Sequence, residues 1–263
     1  MKFRGLIVAL AVLTLGVTPL SGVGAVQSTA NKKCNPLSYG KNYKLAQCKK
    51  ANLRGRDFFD EWLNGKFQRA NFSEANLGSA ELEGNYKRAN FAGANLDSAD
   101  LNARFDGANF IGARFNGTMI SGSCRRAKLM NSRLDFRDWS CDFTGANFSG
   151  SQINASQFYA PDTLQRANFT GATFFGANFS DTYARDANFT GATFYPTRTT
   201  SFDSYLDLEN ADFSGADFTN TIWKAPETGS PYTFKINRAL FSGATWVNVT
   251  CPDGSVRNSP CWE

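Results

Sequence analysis

A six-residue phrase returns along this chain at a nearly constant interval: Phe67-Gln-Arg-Ala-Asn-Phe72, Tyr86-Lys-Arg-Ala-Asn-Phe91, Phe105-Asp-Gly-Ala-Asn-Phe110, Phe143-Thr-Gly-Ala-Asn-Phe148 and Leu164-Gln-Arg-Ala-Asn-Phe169. A fixed period of this length marks a solenoid, in which stacked units cover one another instead of collapsing around one core. Inside the phrase runs a finer period of five. A Leu or Phe follows Asn or Asp, with a small residue one place further back, as in Ala75-Asn76-Leu77, Ala94-Asn95-Leu96, Ala99-Asp100-Leu101 and Ala216-Asp217-Phe218. The large apolar residues keep one phase while the other positions are polar, charged or small. Each pentapeptide therefore buries a single side of itself, and its partner must be the next coil.

Over roughly residues 48–223 this pattern resembles the pentapeptide-repeat family. The resemblance implies an all-β fold, a right-handed quadrilateral β-helix with four pentapeptides to a coil and the central Leu or Phe pointing inward with the small residue two before it. The inward positions then read Cys48, Leu53, Phe58, Leu63; Phe67, Phe72, Leu77, Leu82; Tyr86, Phe91, Leu96, Leu101; and Phe105, Phe110, Phe115, Ile120. Within a group the step is five and between groups it is four, so a coil has nineteen residues, one short of four full pentapeptides. A tighter turn is expected at the corner that lacks the residue. The same register continues through Cys124, Leu129, Leu134, Trp139 and Phe143, Phe148, Ile153, Phe158. It lengthens across Ala160-Pro161-Asp162, where an outward bulge is expected, and blurs after Tyr195 until Leu208, Phe213 and Phe218.

The ends of the chain read differently. Lys2 and Arg4 precede an apolar run from Leu6 to Val17 and then Val23-Gly24-Ala25, the order of a secretory signal peptide. The run is too short to span a bilayer, so no transmembrane segment is expected in the mature chain. The expected organisation is a signal peptide over 1–25, an N-terminal cap over 26–47, the repeat β-helix over 48–223, and an irregular C-terminal segment with a cysteine hairpin over 224–263, in which Arg238 to Trp246 resumes the pattern before the hairpin. The expected location is an exported compartment: periplasm, thylakoid lumen or the extracellular space. The family resemblance adds a cyanobacterial or related source.

Export makes disulfides the expected state of the six cysteines. Cys251 and Cys261 bracket the turn-forming Pro252-Asp253-Gly254-Ser255 and suit a closed hairpin. Cys34 and Cys48 would staple the cap to the first coil. Cys124 and Cys141 face the same side of the lumen on adjacent layers, close to the bridging limit of about 7 Å. They are either a bridge or two buried thiols acting as small hydrophobes.

Little in the chain supports catalysis. Histidine, the commonest general base and metal ligand, is absent. No C-x-x-C, zinc spacing, G-x-S-x-G elbow or phosphate-binding glycine loop occurs. The reading is a protein that is not an enzyme, with no cofactor and no metal. Asn71, Asn147, Asn168, Asn178 and Asn188 match the glycosylation acceptor pattern, as a by-product of the repeat.

Charge gives binding more content. Lys and Arg number 28 against 23 Asp and Glu. Folded on the nineteen-residue coil, Lys49, Lys50, Arg69, Lys87, Arg88, Arg125, Arg126 and Arg166 fall beside the first inward position, and Lys66 and Arg104 extend this basic stripe. Asp60, Glu61, Glu81, Glu83, Asp97, Asp100, Asp135 and Asp138 collect around the third and fourth positions instead. The stripe is either a binding surface for an acidic protein or an anionic surface, or a set of solvated positions inherited by repeat duplication. Nucleic acid is not expected as a partner, and the rod is a monomer or an end-to-end dimer. Some members of the family mimic DNA and act on gyrase, but that role needs an acidic rod in the cytoplasm. A last alternative is a small-ligand site in the C-terminal segment, around Trp246 and Trp262.

Overall fold

The computed structural model describes residues 34, 46–154, 164–176, 179–196, 204–208, 211–224 and 232–263. The expected leader over 1–25, most of the expected cap over 26–47, Pro161 with its expected bulge, and Asn178 lie outside the described residues. The fold is an all-β, right-handed quadrilateral β-helix whose coils pair side on side in parallel. Among the described residues no helix is long and apolar enough to cross a membrane.

Three corners of the coil over residues 67–85 share one construction, which the next coil repeats. At Phe67-Gln68-Arg69-Ala70 the N–H of Ala70 donates to the carbonyl of Phe67 (3.0 Å), and Arg69 lies at φ 58°. A positive φ at the third of four residues closed in this way is the pattern of a type II turn. The next corners repeat it, with Ala75 bonded to Phe72 around Glu74 (φ 59°) and Ala80 bonded to Leu77 around Ser79 (φ 57°). Each turn tucks its small residue under the wall: Ala70, Ala75 and Ala80 are at most 1% exposed.

Because successive coils repeat the same conformation, identical side chains stack. Phe72, Phe91 and Phe110 lie 5.0 and 4.9 Å apart with their rings within 9° of parallel. Phe148, Phe169 and Phe189 repeat this at 4.8 and 5.0 Å. These spacings match the distance of about 4.8 Å between paired strands, so one translation satisfies the backbone ladder and the ring stack together. The residue before each inward position explains the recurring Asn. Asn90 donates its side-chain amide to Asn71 (3.1 Å), and Asn109 donates to Asn90 (2.9 Å). The Oδ1 of Asn90 also accepts the N–H of Ala92 (3.2 Å), so one side chain bridges two coils and starts a turn.

The fourth corner differs from the tighter turn expected there. Trp62–Lys66, Glu81–Asn85 and Asp100–Arg104 are continuous strands that run through it in register. Losing a residue straightens the chain, because four residues cannot hold both an inward side chain and a hydrogen-bonded turn. Gly84 sits in this bend at φ 100°, and a Cβ there would lie 2.4 Å from the carbonyl oxygen of Gly65. From Phe179 onward the corner recovers its turn, with Thr182 bonded to Phe179 and Ala239 to Ile236 around Asp181 and Arg238 at φ 58° and 60°.

Later coils are wider. Asn188 pairs with Asp217 and Asp217 with Thr245, and Ser204–Asp207 pairs with Tyr232–Lys235 in a separate parallel sheet. The stack therefore continues past residue 223, where an irregular segment was expected. Its columns also continue, since Phe241 stacks on Phe213 (5.5 Å, 4°) and Trp246 on Phe218 (4.4 Å, 9°). Cys34–Cys48, Cys124–Cys141 and Cys251–Cys261 are bonded, with Cα atoms 4.6, 5.8 and 5.4 Å apart.

Asp212 and Asp217 take the place of Asn in a late coil. Burial pushes both carboxyls up. Hydrogen bonds from Ser214 and Arg185 to Asp212, and from Thr219 and Thr190 to Asp217, bring both below the ordinary value of 3.8. A carboxylate with a depressed folded pKa contributes its stability in full above the unfolded value and loses it as pH falls through the folded one. The variant Asp212→Asn/Asp217→Asn should therefore lose less melting temperature than the parent between about pH 5 and about pH 2.

Core and surface substitutions should separate sharply in thermal melts followed by circular dichroism. Phe91 and Phe110 are fully buried, and truncating such a ring costs about 3–5 kcal/mol. Phe91→Asp or Phe110→Asp adds an unpaired buried charge and should abolish the folded state. Arg88→Glu should stay within about 0.5 kcal/mol of wild type, since Glu74 already adopts the same left-handed geometry. Gly84→Ala should cost several kcal/mol through its clash with backbone, whereas Ala103→Gly, in the same column, should cost about 1 kcal/mol.

Candidate binding surface

The basic stripe resolves into two columns with different environments. Lys50, Arg69, Arg88, Arg126 and Arg166 occupy the left-handed position of the first corner, at φ between 55° and 58°. Their side chains leave the prism at its edge, and all five residues are exposed. Lys87 and Arg125 precede that corner on the flat side, and Arg104 ends the strand Asp100–Arg104 leading into it.

The flat-side cations are largely neutralised. Asp106 lies 3.2 Å from Lys87 and 3.9 Å from Arg104. Arg125 pairs with Asp142, and on the corner itself Arg166 pairs with Asp186 at 3.7 Å. Lys50, Arg69, Arg88 and Arg126 form no ion pair among the described residues. Within the stripe, Lys87, Arg104, Arg125 and Arg166 are thus paired, and the four cations without an ion pair among the described residues, Lys50, Arg69, Arg88 and Arg126, lie on one corner. The sequence reading overlooked Asp106 and Asp142, which occupy the columns of Lys87 and Arg104; aligning acids as well as bases on the coil finds them.

A left-handed conformation is costly for a residue with a Cβ, by about 1 kcal/mol or more. The same corner is made by Gly107 and Gly145 at φ 66° in intervening coils. Arg88 and Arg126 lean toward those glycines, their Cγ atoms 3.4 and 3.6 Å from where a Cβ would stand. Glycine suits the backbone better, so Arg at its neighbours is not explained by the turn itself.

The acidic groups form the opposite pole. Going round a coil, the corner after Leu77 lies two corners beyond that of Arg69, hence diagonally across the prism. Asp60 stands at that corner, and Glu81, Glu83 and Asp100 stand on the strands beginning beside it. Partial burial, then Glu83, then Asp100 hold the Glu81 carboxyl above its ordinary range. Asp97, in the same region, is paired with Arg114. Asp97, Arg114, Asn116, Arg133 and Asp135 line an open groove of about 310 Å³ on the third side.

The C-terminal rings proposed as a ligand site fill the end of the lumen. Trp262 packs against Phe241 (5.0 Å), Phe234 (5.1 Å), Trp246 (5.5 Å) and Trp223 (6.1 Å). Trp246 and Trp262 are half-buried. The Cys251–Cys261 bridge holds Trp262 in place as a plug, which leaves the rings themselves as the contents of the space a ligand would need. The Asn residues that match the glycosylation pattern are likewise engaged: Asn71 donates to Asn52 (3.2 Å) and Asn147 to the sulfur of Met130 (3.0 Å).

Comparison with known proteins places this architecture. A family model described as pentapeptide repeats matches residues 66–135 and 163–195 in eight copies. No curated protein matches the chain. Among solved structures, HetL, a pentapeptide repeat protein involved in heterocyst differentiation regulation from the cyanobacterium Nostoc sp. strain PCC 7120, is 20% identical with a TM-score of 0.33. That match covers 79% of this chain and 90% of HetL. Full-length QnrB1, a plasmid-mediated fluoroquinolone resistance protein, is 18% identical with a TM-score of 0.25, over 73% of this chain and 90% of its own. The eight matched copies coincide with coils whose stacking, inward columns and corner turns are described above, and over residues 66–135 and 163–195 the chain carries repeats of the pentapeptide-repeat family.

Proposed function

We propose that this protein is a non-enzymatic binding or scaffold protein of an exported, non-reducing compartment, and that its unpaired basic corner engages an acidic protein. The observation that carries the reading is the column Lys50, Arg69, Arg88 and Arg126. These cations occupy left-handed positions that glycine fills in neighbouring coils, and no carboxylate neutralises them among the described residues. Stacked cations at about 4.8 Å repel one another, and an acidic partner relieves that repulsion. The three disulfides suit an oxidising compartment, in line with the leader read in residues 1–25. A DNA-mimicking, gyrase-directed role is the weaker reading. It needs an acidic rod, whereas the formal net charge here is +5.

The test is affinity capture from an extract of the exported compartment with wild type and with Arg69→Glu/Arg88→Glu/Arg126→Glu. Wild type should retain an acidic protein at low salt and lose most of it at high salt, because exposed charges are screened beyond a Debye length. The triple variant should retain none. An identical set of captured proteins from both, or capture indifferent to salt, would overturn the reading; retention of anionic lipid alone would replace the protein partner by a membrane surface.

A further inference from the structure

Coil by coil, the two unpaired edges carry the same pattern. On the basic corner the first five coils present Lys50, Arg69, Arg88, Gly107 and Arg126: three cations, a gap, and a cation. On the diagonal edge the same coils present Asp60, then Glu81 with Glu83, then Asp100, then no carboxylate, then Asp135 with Asp138. In the fourth coil that edge is occupied by Gly117, Met119 and Ser121. Arg137, in the fifth, turns onto the sulfur of Met119 (2.8 Å), and the fifth coil stays net negative. Among the described residues none of Asp60, Glu81, Glu83, Asp100, Asp135 and Asp138 is in an ion pair. Charges that could have paired within the molecule are instead segregated to opposite edges, in matching order and with the gap at the same height.

We infer that the acidic partner of the basic corner is the acidic edge of a second copy, so that rods associate side by side, in the same orientation and at the same height. The inference rests on the reading of the basic corner as a binding surface and names its occupant. Both edges ride on one ladder, so their axial repeat is identical by construction and their charges meet rung for rung. A shift by one coil sets Arg88 or Arg126 opposite the gap, which selects the unshifted arrangement. Because the contact joins different edges, it leaves a free edge at each side and propagates as an open ribbon. Its parts are exposed or half-buried surface ions, so it weakens as salt rises.

Sedimentation velocity on three proteins tests this: wild type, Lys50→Glu/Arg69→Glu/Arg88→Glu/Arg126→Glu, and Asp60→Lys/Glu81→Lys/Asp100→Lys/Asp138→Lys. Circular dichroism confirms folding. Should either quadruple variant fail to fold, Arg69→Glu/Arg88→Glu and Glu81→Lys/Asp100→Lys replace them. Wild type should reach roughly twice its monomer mass or more at high concentration in low salt and return to monomer in high salt. Each variant alone should stay monomeric, since its two edges carry one sign, and an equimolar mixture of the two variants should associate again. Wild type that is monomeric throughout, variants that associate as wild type does, or a mixture that stays monomeric would overturn the inference. If wild type is monomeric yet the basic-corner variant loses a captured acidic protein, self-pairing is wrong and the corner reading stands. If nothing is captured either, both fall.

Discussion

A left-handed residue at each corner, closed by a hydrogen bond across the turn, is the constraint on which this molecule depends. It bends the chain at a fixed interval, so that the next inward residue arrives beneath its predecessor. Alanine follows because only a small side chain fits under the closed turn, and asparagine follows because the next residue must satisfy the turn and reach the coil above. Where the corner loses one residue, at Gly65 and Gly84, the turn disappears and a continuous strand replaces it. The surface is governed by the same constraint. A side chain in the left-handed conformation stands on the edge of the prism instead of on a flat side, which is why Arg69 and Arg88 project while Lys87 lies within reach of Asp106.

The lumen was legible in the sequence because one phase of a strict period carries nearly every large apolar residue. Phe72, Phe91 and Phe110 are placed by counting alone. Side-chain chemistry at a corner was less legible, since a period says where a residue stands and not which conformation its backbone adopts. The short corner shows the difference: the missing residue was visible, but whether four residues make a turn or a strand depends on the approach of Gly84 to Gly65 in the neighbouring coil. The end of the stack was legible only in part, since Arg238 to Trp246 visibly resumes the pattern while the spacing of the coils leading to it does not. The coils beyond Phe189 are wide, and their intervals of 29 residues between Asn188 and Asp217 and 28 between Asp217 and Thr245 hide a repeat that the ring columns still obey. On the surface, counting bases alone merged a paired column with an unpaired one.

Charge segregation of this kind has a physical consequence for where function can reside. Among the described residues the lumen is filled by side chains, so whatever this solenoid contacts meets its outer faces and edges. Recognition by a repeated array is easy, because every coil offers the same geometry and small contributions add along the rod. Individual exposed ion pairs contribute at most about 1 kcal/mol, and only their repetition in register makes an edge selective.

The disulfides mark where stacking is weakest. The first inward column reads Cys48, Phe67, Tyr86, Phe105, Cys124 and Phe143, and its rings stack from Phe67 to Phe105. At Cys48 the column begins among the described residues, and the bridge ties it to Cys34. At Cys124 the ring stack is interrupted, and nearby the ladder between Arg114–Ser123 and Arg133–Asp138 shifts register around Phe136. At Cys251 the last coil ends, and the bridge to Cys261 holds the plug of Trp262. A covalent link therefore stands at three of the places where the ring column begins, breaks or ends, while Leu164 and Ala184 interrupt it without one. A bridge closing a loop of this size stabilises by about 3 kcal/mol, comparable to burying a large side chain. That magnitude matches the missing ring and accounts for cysteine in a lumen otherwise filled by phenylalanine and leucine.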